Sequence, residues 1–175
     1  TSLDSYVSVL MMENKVVTKK VLERAGISVP GGYEYTSPEA GMADYRLYAG
    51  KPVVIKPKST NFGLGITILK HNYDETDFKA ALQIAFEHDN TVLIEKFIPG
   101  REFRIFIIND EVVGILHRVP ANVTGDGVLN IGQLIDRKNE DPLRGKGYRT
   151  PLEKIRKGRE EEMFLKQQGN QLQSL

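Results

Sequence analysis

Cysteine is absent from this sequence of 175 residues, and histidine occurs only three times. The absence of cysteine excludes a disulfide framework, a thiolate metal site and a cysteine nucleophile. The three histidines, His71, His88 and His117, are too scattered to form a recognisable zinc pattern. Any chemistry of the chain must therefore depend on lysine, arginine, acidic side chains and backbone groups.

A charge excess of one sign and a long apolar run are missing as well. The 24 basic and 23 acidic residues leave a formal charge of +1, which argues against a nucleic-acid-binding protein. Apolar runs such as 52–55 and 91–94 are far shorter than the roughly 20 residues that a membrane span needs. With no secretory signal and no cysteine, the sequence is typical of a globular cytoplasmic protein, and no membrane partner is expected.

Hydrophobic spacing and turn residues predict an α+β fold with an antiparallel sheet, because helices and strands alternate irregularly along the chain. Residues 1–10 show little periodicity and are predicted as an irregular end, while 27–32 and 141–151 are predicted as loops. Asn109 and Asp110 both tolerate a positive φ and are expected to form a two-residue hairpin turn. The predicted helices are 13–25, 38–48, 77–88, 131–138 and 152–168, and the predicted strands are 52–57, 66–70, 92–97, 102–108 and 112–119.

Lys56 lies at the end of an apolar strand and leads directly into the loop 58–65. This loop offers hydroxyls such as that of Ser59, backbone N–H groups, and the glycines Gly63 and Gly65, which permit close approach to a phosphate. The sequence has neither a P-loop nor a G-x-G-x-x-G fingerprint. A solvated strand end and an ordinary hairpin connection are the alternatives, but a lysine joined directly to such a loop favours phosphate binding.

A second candidate site follows the next apolar strand, which begins at position 92. Strand geometry places Glu95 and Phe97 on one face and Lys96 and Ile98 on the other. A strand with a free backbone edge beside a carboxylate can form hydrogen bonds with the amino group and the adjacent ring nitrogen of a purine. Glu102, beyond the following turn, can accept hydrogen bonds from ribose hydroxyls. Taken alone, these residues fit an amphipathic edge strand with solvated charges equally well.

Five motifs in this order resemble those of the ATP-grasp ligases, with spacing similar to that of D-alanine–D-alanine ligase. They are Asn14-Lys15 with Thr18-Lys19, Gly26-Ile27-Ser28-Val29-Pro30, Val54-Ile55-Lys56-Pro57, Gly63-Leu64-Gly65, and Ile94-Glu95-Lys96-Phe97 with Glu102-Phe103. The later segments 118–127 and 138–145 resemble the ATP-grasp module of bifunctional glutamate–cysteine ligase/glutathione synthetases and, secondarily, cyanophycin synthetase. The resemblance covers 12–168 and implies an incomplete ATP-grasp fold.

The resemblance implies roles for individual residues. Lys15 and Lys56 would hold the ATP phosphates, and Arg118 would be the catalytic cation at the transferring phosphoryl group. Asn122 and Arg144 are candidate substrate contacts. For Arg118 a surface salt bridge is the alternative, and for Arg144 it is a solvated basic loop. The other implied ATP contacts are Ser59, Gly63 and Gly65 in a lid over the phosphates, Glu95, Lys96, Phe97 and Ile98 at adenine, and Glu102 at the ribose.

The implied reaction is carboxylate–amine ligation, in which ATP phosphorylates γ-glutamylcysteine and glycine attacks the acyl phosphate to give glutathione. The implied cofactors are ATP and Mg²⁺. The Asp and Glu-x-Asn that hold magnesium in this family are not found in the sequence, so we expect metal ligands beyond the C-terminus and no ligation by the isolated chain. The alternatives are another peptide ligase, such as cyanophycin synthetase, or a non-catalytic structural module.

The same resemblance predicts the domain organisation. Residues 1–12 are expected to be a linker from an upstream glutamate–cysteine ligase domain, 13–168 a partial ATP-grasp domain and 169–175 a truncated tail. A homodimer is one assembly that the sequence leaves open.

Overall fold

The computed structural model describes residues 5–60, 63–70, 72–147 and 149–175. It divides into two compact units, 1–116 and 117–175, and each is described by itself. The predicted boundaries of the linker, the partial domain and the tail stay predictions. Among the helices described, none is long and apolar enough to cross a lipid bilayer.

The first unit contains five helices and most of the strands in the described part of the chain. Its helices are α1 (Tyr6–Glu13), α2 (Lys15–Arg24), α3 (Pro38–Ala43), α4 (Tyr45–Tyr48) and α5 (Glu75–Phe86). Its strands are β1 (Gly32–Tyr35), β2 (Val53–Pro57), β3 (Thr67–Leu69), β4 (Val92–Lys96), β5 (Glu102–Ile108) and β6 (Glu111–Arg118), the last of which ends inside the second unit.

Four of these strands form the main sheet, in the order β1-β4-β2-β3. All three neighbouring pairs are antiparallel, as predicted. Helix α5 packs on one face of the sheet, where Ile55 and Ile94 are fully buried together with Phe78 and Leu82 of the helix. The next side chain along each strand points to the opposite face, because side chains alternate along a strand.

Local capping residues explain where several helices begin. The side chain of Asn14 accepts hydrogen bonds from the backbone N–H groups of Val16 and Val17, at 3.1 and 3.3 Å, and so begins α2. Ser37 caps α3 and Pro38 takes its first position, where its lack of an N–H costs nothing. The predicted helix 38–48 is interrupted at Asp44, which separates α3 from α4.

Three further predictions of secondary structure are wrong or incomplete. Residues 6–13 form helix α1 instead of an irregular end, because Ser5 caps the segment through a hydrogen bond from Ser8 N, at 3.1 Å. Strand β1 was not predicted, since its pairing with β4 joins residues that lie far apart in the sequence. The last helix begins at Arg159 and not at position 152, because Leu152–Glu153 pair with Arg144–Gly145 as parallel strands.

Strands β5 and β6 form a separate two-stranded sheet. Asn109 and Asp110 connect them with φ values of 50° and 64°, which confirms the predicted two-residue turn. Every residue of β5 is exposed, and so is every residue of β6 except Gly114. The hairpin therefore presents apolar side chains on both of its faces.

The second unit contains α6 (Ile131–Lys138), β7 (Arg144–Gly145), β8 (Leu152–Glu153) and α7 (Arg159–Gln167). Asn130 begins α6 with a reciprocal capping box to Gln133, and Leu134 and Ile135 of this helix are buried. The C-terminal segment returns to the start of α6, where Ile131 N donates to Ser174 O and Gly132 N to Leu172 O, both at 2.8 Å.

Candidate functional site

The face of the main sheet opposite α5 brings four charged residues together. Lys56 of β2 and Glu95 of β4 follow the buried Ile55 and Ile94, so they project to the other side of the sheet. Lys15 and Lys19 reach the same face from α2, where a spacing of four residues puts them on one side of the helix. We call these four residues the lysine cluster.

Glu95 is the buried centre of the lysine cluster, with only 2% of the residue exposed. Lys19 Nζ lies 2.7 Å from Oε1, and Lys56 Nζ lies 2.5 Å from Oε2. Burial by itself would raise the pKa of the Glu95 carboxyl, but the hydrogen bonds from Lys19 and Lys56 outweigh it and hold the pKa below its usual range. Glu95 is therefore an ionised hydrogen-bond acceptor at neutral pH.

Lys15 ties helix α2 to the end of β2. Its ammonium donates to the carbonyl oxygens of Pro57, Lys58 and Thr60, at 3.2, 3.0 and 2.7 Å. Three acceptors match the three donors of a lysine. Burial, and then the nearby ammonium of Lys56, lower the pKa of Lys15, while Asp89 and Glu95 act in the opposite direction. Lys15 must release at least one carbonyl before it can bind a phosphate.

The predicted phosphate loop is fixed at its start by Asp89. Its carboxylate accepts from Ser59 N at 2.7 Å and from Thr91 N at 3.1 Å. Burial alone would raise the pKa of Asp89, but these backbone hydrogen bonds prevail and lower it. Gly63 and Gly65 have φ values of 78° and 72°, which favour glycine. The loop residues 61 and 62 lie outside the described residues.

The candidate purine-binding edge lies where β4 ends. Lys96 N donates to Gly31 O at 2.8 Å, and Phe97 N donates to Pro52 O at 3.0 Å. The hydrogen bond of Phe97 is the last one of this strand. Ile98 is the next residue along the chain and is 57% exposed. Phe97 is half-buried and Lys96 is exposed, in agreement with the predicted alternation of faces.

Two features of the site were missed by the sequence analysis. Lys19 received no role, although its spacing of four residues from Lys15 on a predicted helix was a usable signal. Gly32 pairs directly with Glu95, and a Cβ there would lie 2.2 Å from Ile94 O and 2.7 Å from Glu95 Cα. Only glycine fits so close to the backbone that carries Glu95.

The remaining predicted site residues are not part of the lysine cluster. Glu102 begins β5 and is exposed. Arg118, Asn122 and Arg144 belong to the second unit. There, Asn122 Oδ1 accepts from Lys138 Nζ at 3.1 Å, and Arg144 Nη1 donates to Glu153 O at 2.9 Å. The substrate and catalytic roles of these residues stay predictions.

The described residues contain no ready-made cluster of metal ligands. No group of three or more histidine, aspartate or glutamate side chains in this part of the chain could hold a metal. The carboxylate at the centre of the lysine cluster, Glu95, has an ammonium on each oxygen. We therefore derive no step through Mg²⁺ from these residues.

Comparison with known families identifies the fold to which this site belongs. Residues 33–131, more than half of the chain, match the model of the family described as D-ala D-ala ligase C-terminus. The chain belongs to this family. The match confirms the predicted ATP-grasp fold, of which the chain covers only a part. Lys15 and Lys19 precede the matched residues, whereas Lys56 and Glu95 lie within them.

Individual relatives of this ATP-grasp chain are considerably longer. It is 60% identical, over 97% of its residues, to the glutathione biosynthesis bifunctional protein GshAB of Desulfotalea psychrophila, and 53% identical, over 100%, to that of Clostridium perfringens. The chain spans 22% of the length of each of these relatives. The crystal structure of a bifunctional glutathione synthetase from Pasteurella multocida is 52% identical over 100% of this chain and 24% of that one, with a TM-score of 0.45.

Proposed function

We propose that this chain binds ATP as part of a carboxylate–amine ligase that forms glutathione. The lysine cluster is the observation that carries the proposal. The ammonium groups of Lys19 and Lys56 hold the one buried carboxylate of Glu95, and Lys15 adds a third ammonium at the end of β2, which leaves a net positive charge in the cluster. A partly buried surplus of positive charge suits a polyphosphate, because burial strengthens electrostatic attraction and the anion supplies the missing countercharge.

The nucleotide lies along β2 and β4 in this proposal. Lys56 and Lys15 bind the phosphates as point charges. Glu95 accepts from the amino group of adenine. The carbonyl of Lys96, whose N–H is bonded to Gly31 O, and the backbone of Ile98, beyond the last ladder bond, pair with the purine edge. The other contacts are Phe97 packing beside the base, Glu102 at the ribose, and Ser59, Gly63 and Gly65 covering the phosphates.

The proposed reaction has two steps. A carboxylate oxygen of γ-glutamylcysteine attacks the γ-phosphorus of ATP, and ADP leaves. The amine of glycine then attacks the acyl carbon, inorganic phosphate leaves, and the new amide loses a proton. Arg118 would neutralise charge on the transferring phosphoryl group, with Asn122 and Arg144 at the peptide. The name of the relatives, glutathione biosynthesis bifunctional protein, supports this choice of substrates.

The remaining assignments extend the proposal to the longer protein. The relatives are named as bifunctional proteins of glutathione biosynthesis, which supports a glutamate–cysteine ligase domain in the same polypeptide. Magnesium would be held by residues other than those described, so ligation is not expected from this chain alone. Since the reaction consumes ATP, the proposal places the protein in the cytoplasm.

Calorimetric titration of Mg²⁺ and ATP into the chain tests this function. We expect binding by the wild type and a loss of at least about tenfold in the double variant Lys56→Ala, Glu95→Ala, because a phosphate contact and a base contact disappear together. Lys79→Ala is the matched control, since Lys79 is exposed on α5 at the other face of the sheet. Equal affinity of the double variant, or no binding by the wild type, would refute the proposal.

A further inference from the structure

The carboxylate of Glu95 is held by two lysines that come from different parts of the fold. Lys19 approaches Oε1 from helix α2, at 2.7 Å, and Lys56 approaches Oε2 from the neighbouring strand β2, at 2.5 Å. Because each oxygen has its own ammonium, one lysine can leave while the other stays. The two contacts therefore have separable functions.

A bound nucleotide would draw Lys56 away from Glu95, since the proposed function assigns Lys56 to a phosphate. Glu95 is only 2% exposed, and the departure of Lys56 removes one of its two cationic partners. A buried carboxylate without a cation takes up a proton, because burial disfavours its charged form. A second cation must therefore stay beside Glu95 if the carboxylate is to remain a hydrogen-bond acceptor.

The other groups that face Glu95 cannot serve this purpose. Lys15 directs its ammonium to three backbone carbonyls, one at the last residue of β2 and two beyond it. On β1, Gly32 lies opposite Glu95 and has no side chain, and the carboxylate of Glu34 pairs with Lys58 at 3.1 Å. Within the described residues, Lys19 is the cation that stays in contact with Glu95.

We propose that Lys19 is a positioning residue, which keeps Glu95 a hydrogen-bond acceptor while nucleotide is bound and thereby sets the preference for adenine. The inference rests on the proposed function. An ionised carboxylate accepts from the exocyclic amino group of adenine. A protonated carboxyl donates instead, and so suits a purine with a carbonyl oxygen at that position, such as hypoxanthine. Loss of Lys19 thus changes which base is bound, not only how tightly.

The test compares the affinities for ATP and ITP, each with Mg²⁺, in calorimetric titrations at about pH 6 and about pH 8. Wild type is expected to prefer ATP at both pH values. In Lys19→Met the ratio of the two affinities falls by about tenfold, the equivalent of one hydrogen bond to a charged group, and it falls further at the lower pH. Lys19→Arg, which retains the cation, restores the ratio.

Lys20→Met is the matched control, because Lys20 is the next residue of α2 and is exposed. It is expected to leave both affinities unchanged. If wild type binds neither nucleotide, the proposed function fails and this inference fails with it. If wild type binds ATP and Lys19→Met keeps the wild-type ratio, the inference alone is overturned.

A measurement without nucleotide checks the same contact. An NMR titration of the Glu95 carboxyl carbon is expected to give a higher pKa in Lys19→Met than in wild type, while Lys20→Met leaves it unchanged. The titration also shows whether the variant is folded. An unaltered Glu95 pKa in folded Lys19→Met would mean that Lys19 does not hold the charge of Glu95, and would refute the proposal.

Discussion

The main sheet and the β5–β6 hairpin are built from similar apolar sequences, yet they occupy opposite environments. In β2 and β4, residues such as Ile55 and Ile94 are fully buried beneath α5. In β5 and β6, residues such as Phe106 and Ile115 are 57% and 62% exposed. Apolar composition therefore predicts a strand in both regions, but it does not predict which strand acquires a packed neighbour.

The same difference governs the charged residues that the strands carry. Lys56 and Glu95 lie on covered strands, where each has a fixed partner and burial strengthens the attraction between them. Glu102 and Arg118 lie on the exposed hairpin, where solvent screens their charges. The chemistry of a carboxylate on a strand therefore depends on the residues that pack over the sheet as well as on its position in the motif.

The largest expected effect comes from truncating one phenylalanine in each region. Phe78 is fully buried, and its ring stacks on those of Tyr48 and Tyr73, with centroids 5.7 and 6.3 Å apart. Phe78→Ala should lower the free energy of unfolding by about 3–5 kcal/mol, whereas Phe106→Ala should change it by less than about 0.5 kcal/mol. Urea unfolding curves measure both, and equal losses would show that the hairpin is as tightly packed as the main sheet.

A smaller effect is expected from adding one methyl group to a glycine in each region. The new Cβ of Gly32→Ala would lie 2.2 Å from Ile94 O, so β1 must shift away from β4, at a cost of about 1–3 kcal/mol. At Gly114 of β6 the nearest atom is Phe106 Cβ, at 4.0 Å, and alanine there should cost nothing. Thermal melting of both variants distinguishes the two sites. A loss at Gly114 as large as at Gly32 would contradict this account.

The smallest expected effect is on the pH dependence of stability. The lysines keep the pKa of Glu95 below its ordinary value of 4.5, so its ionised form stabilises the native state above that pH. This contribution is lost as the pH falls through the native pKa. Glu95→Gln should therefore show a shallower loss of unfolding free energy below about pH 4.5 than wild type. Parallel curves from urea titrations at several pH values would exclude Glu95 as a source.

Much of the candidate site could be predicted because its signals are local. Lys56 at the end of one strand, Glu95 near the end of another and the turn at Asn109 and Asp110 depend on residues adjacent in sequence. The contact between Lys19 and Glu95 joins residues 76 positions apart, so only the folded chain reveals it. The folded chain is also needed to see why position 32 requires glycine, because the steric limit comes from strand β4 beside it.

The three carbonyls that bind Lys15 have a consequence for the order of folding. They lie 42, 43 and 45 residues away along the chain, so α2 must dock before this end of β2 acquires its final hydrogen bonds. Closing a loop of that length costs entropy that only the finished contacts offset. We therefore expect the segment around Lys58 to be among the late parts of the first unit to form, and its amide protons to exchange before those of β4.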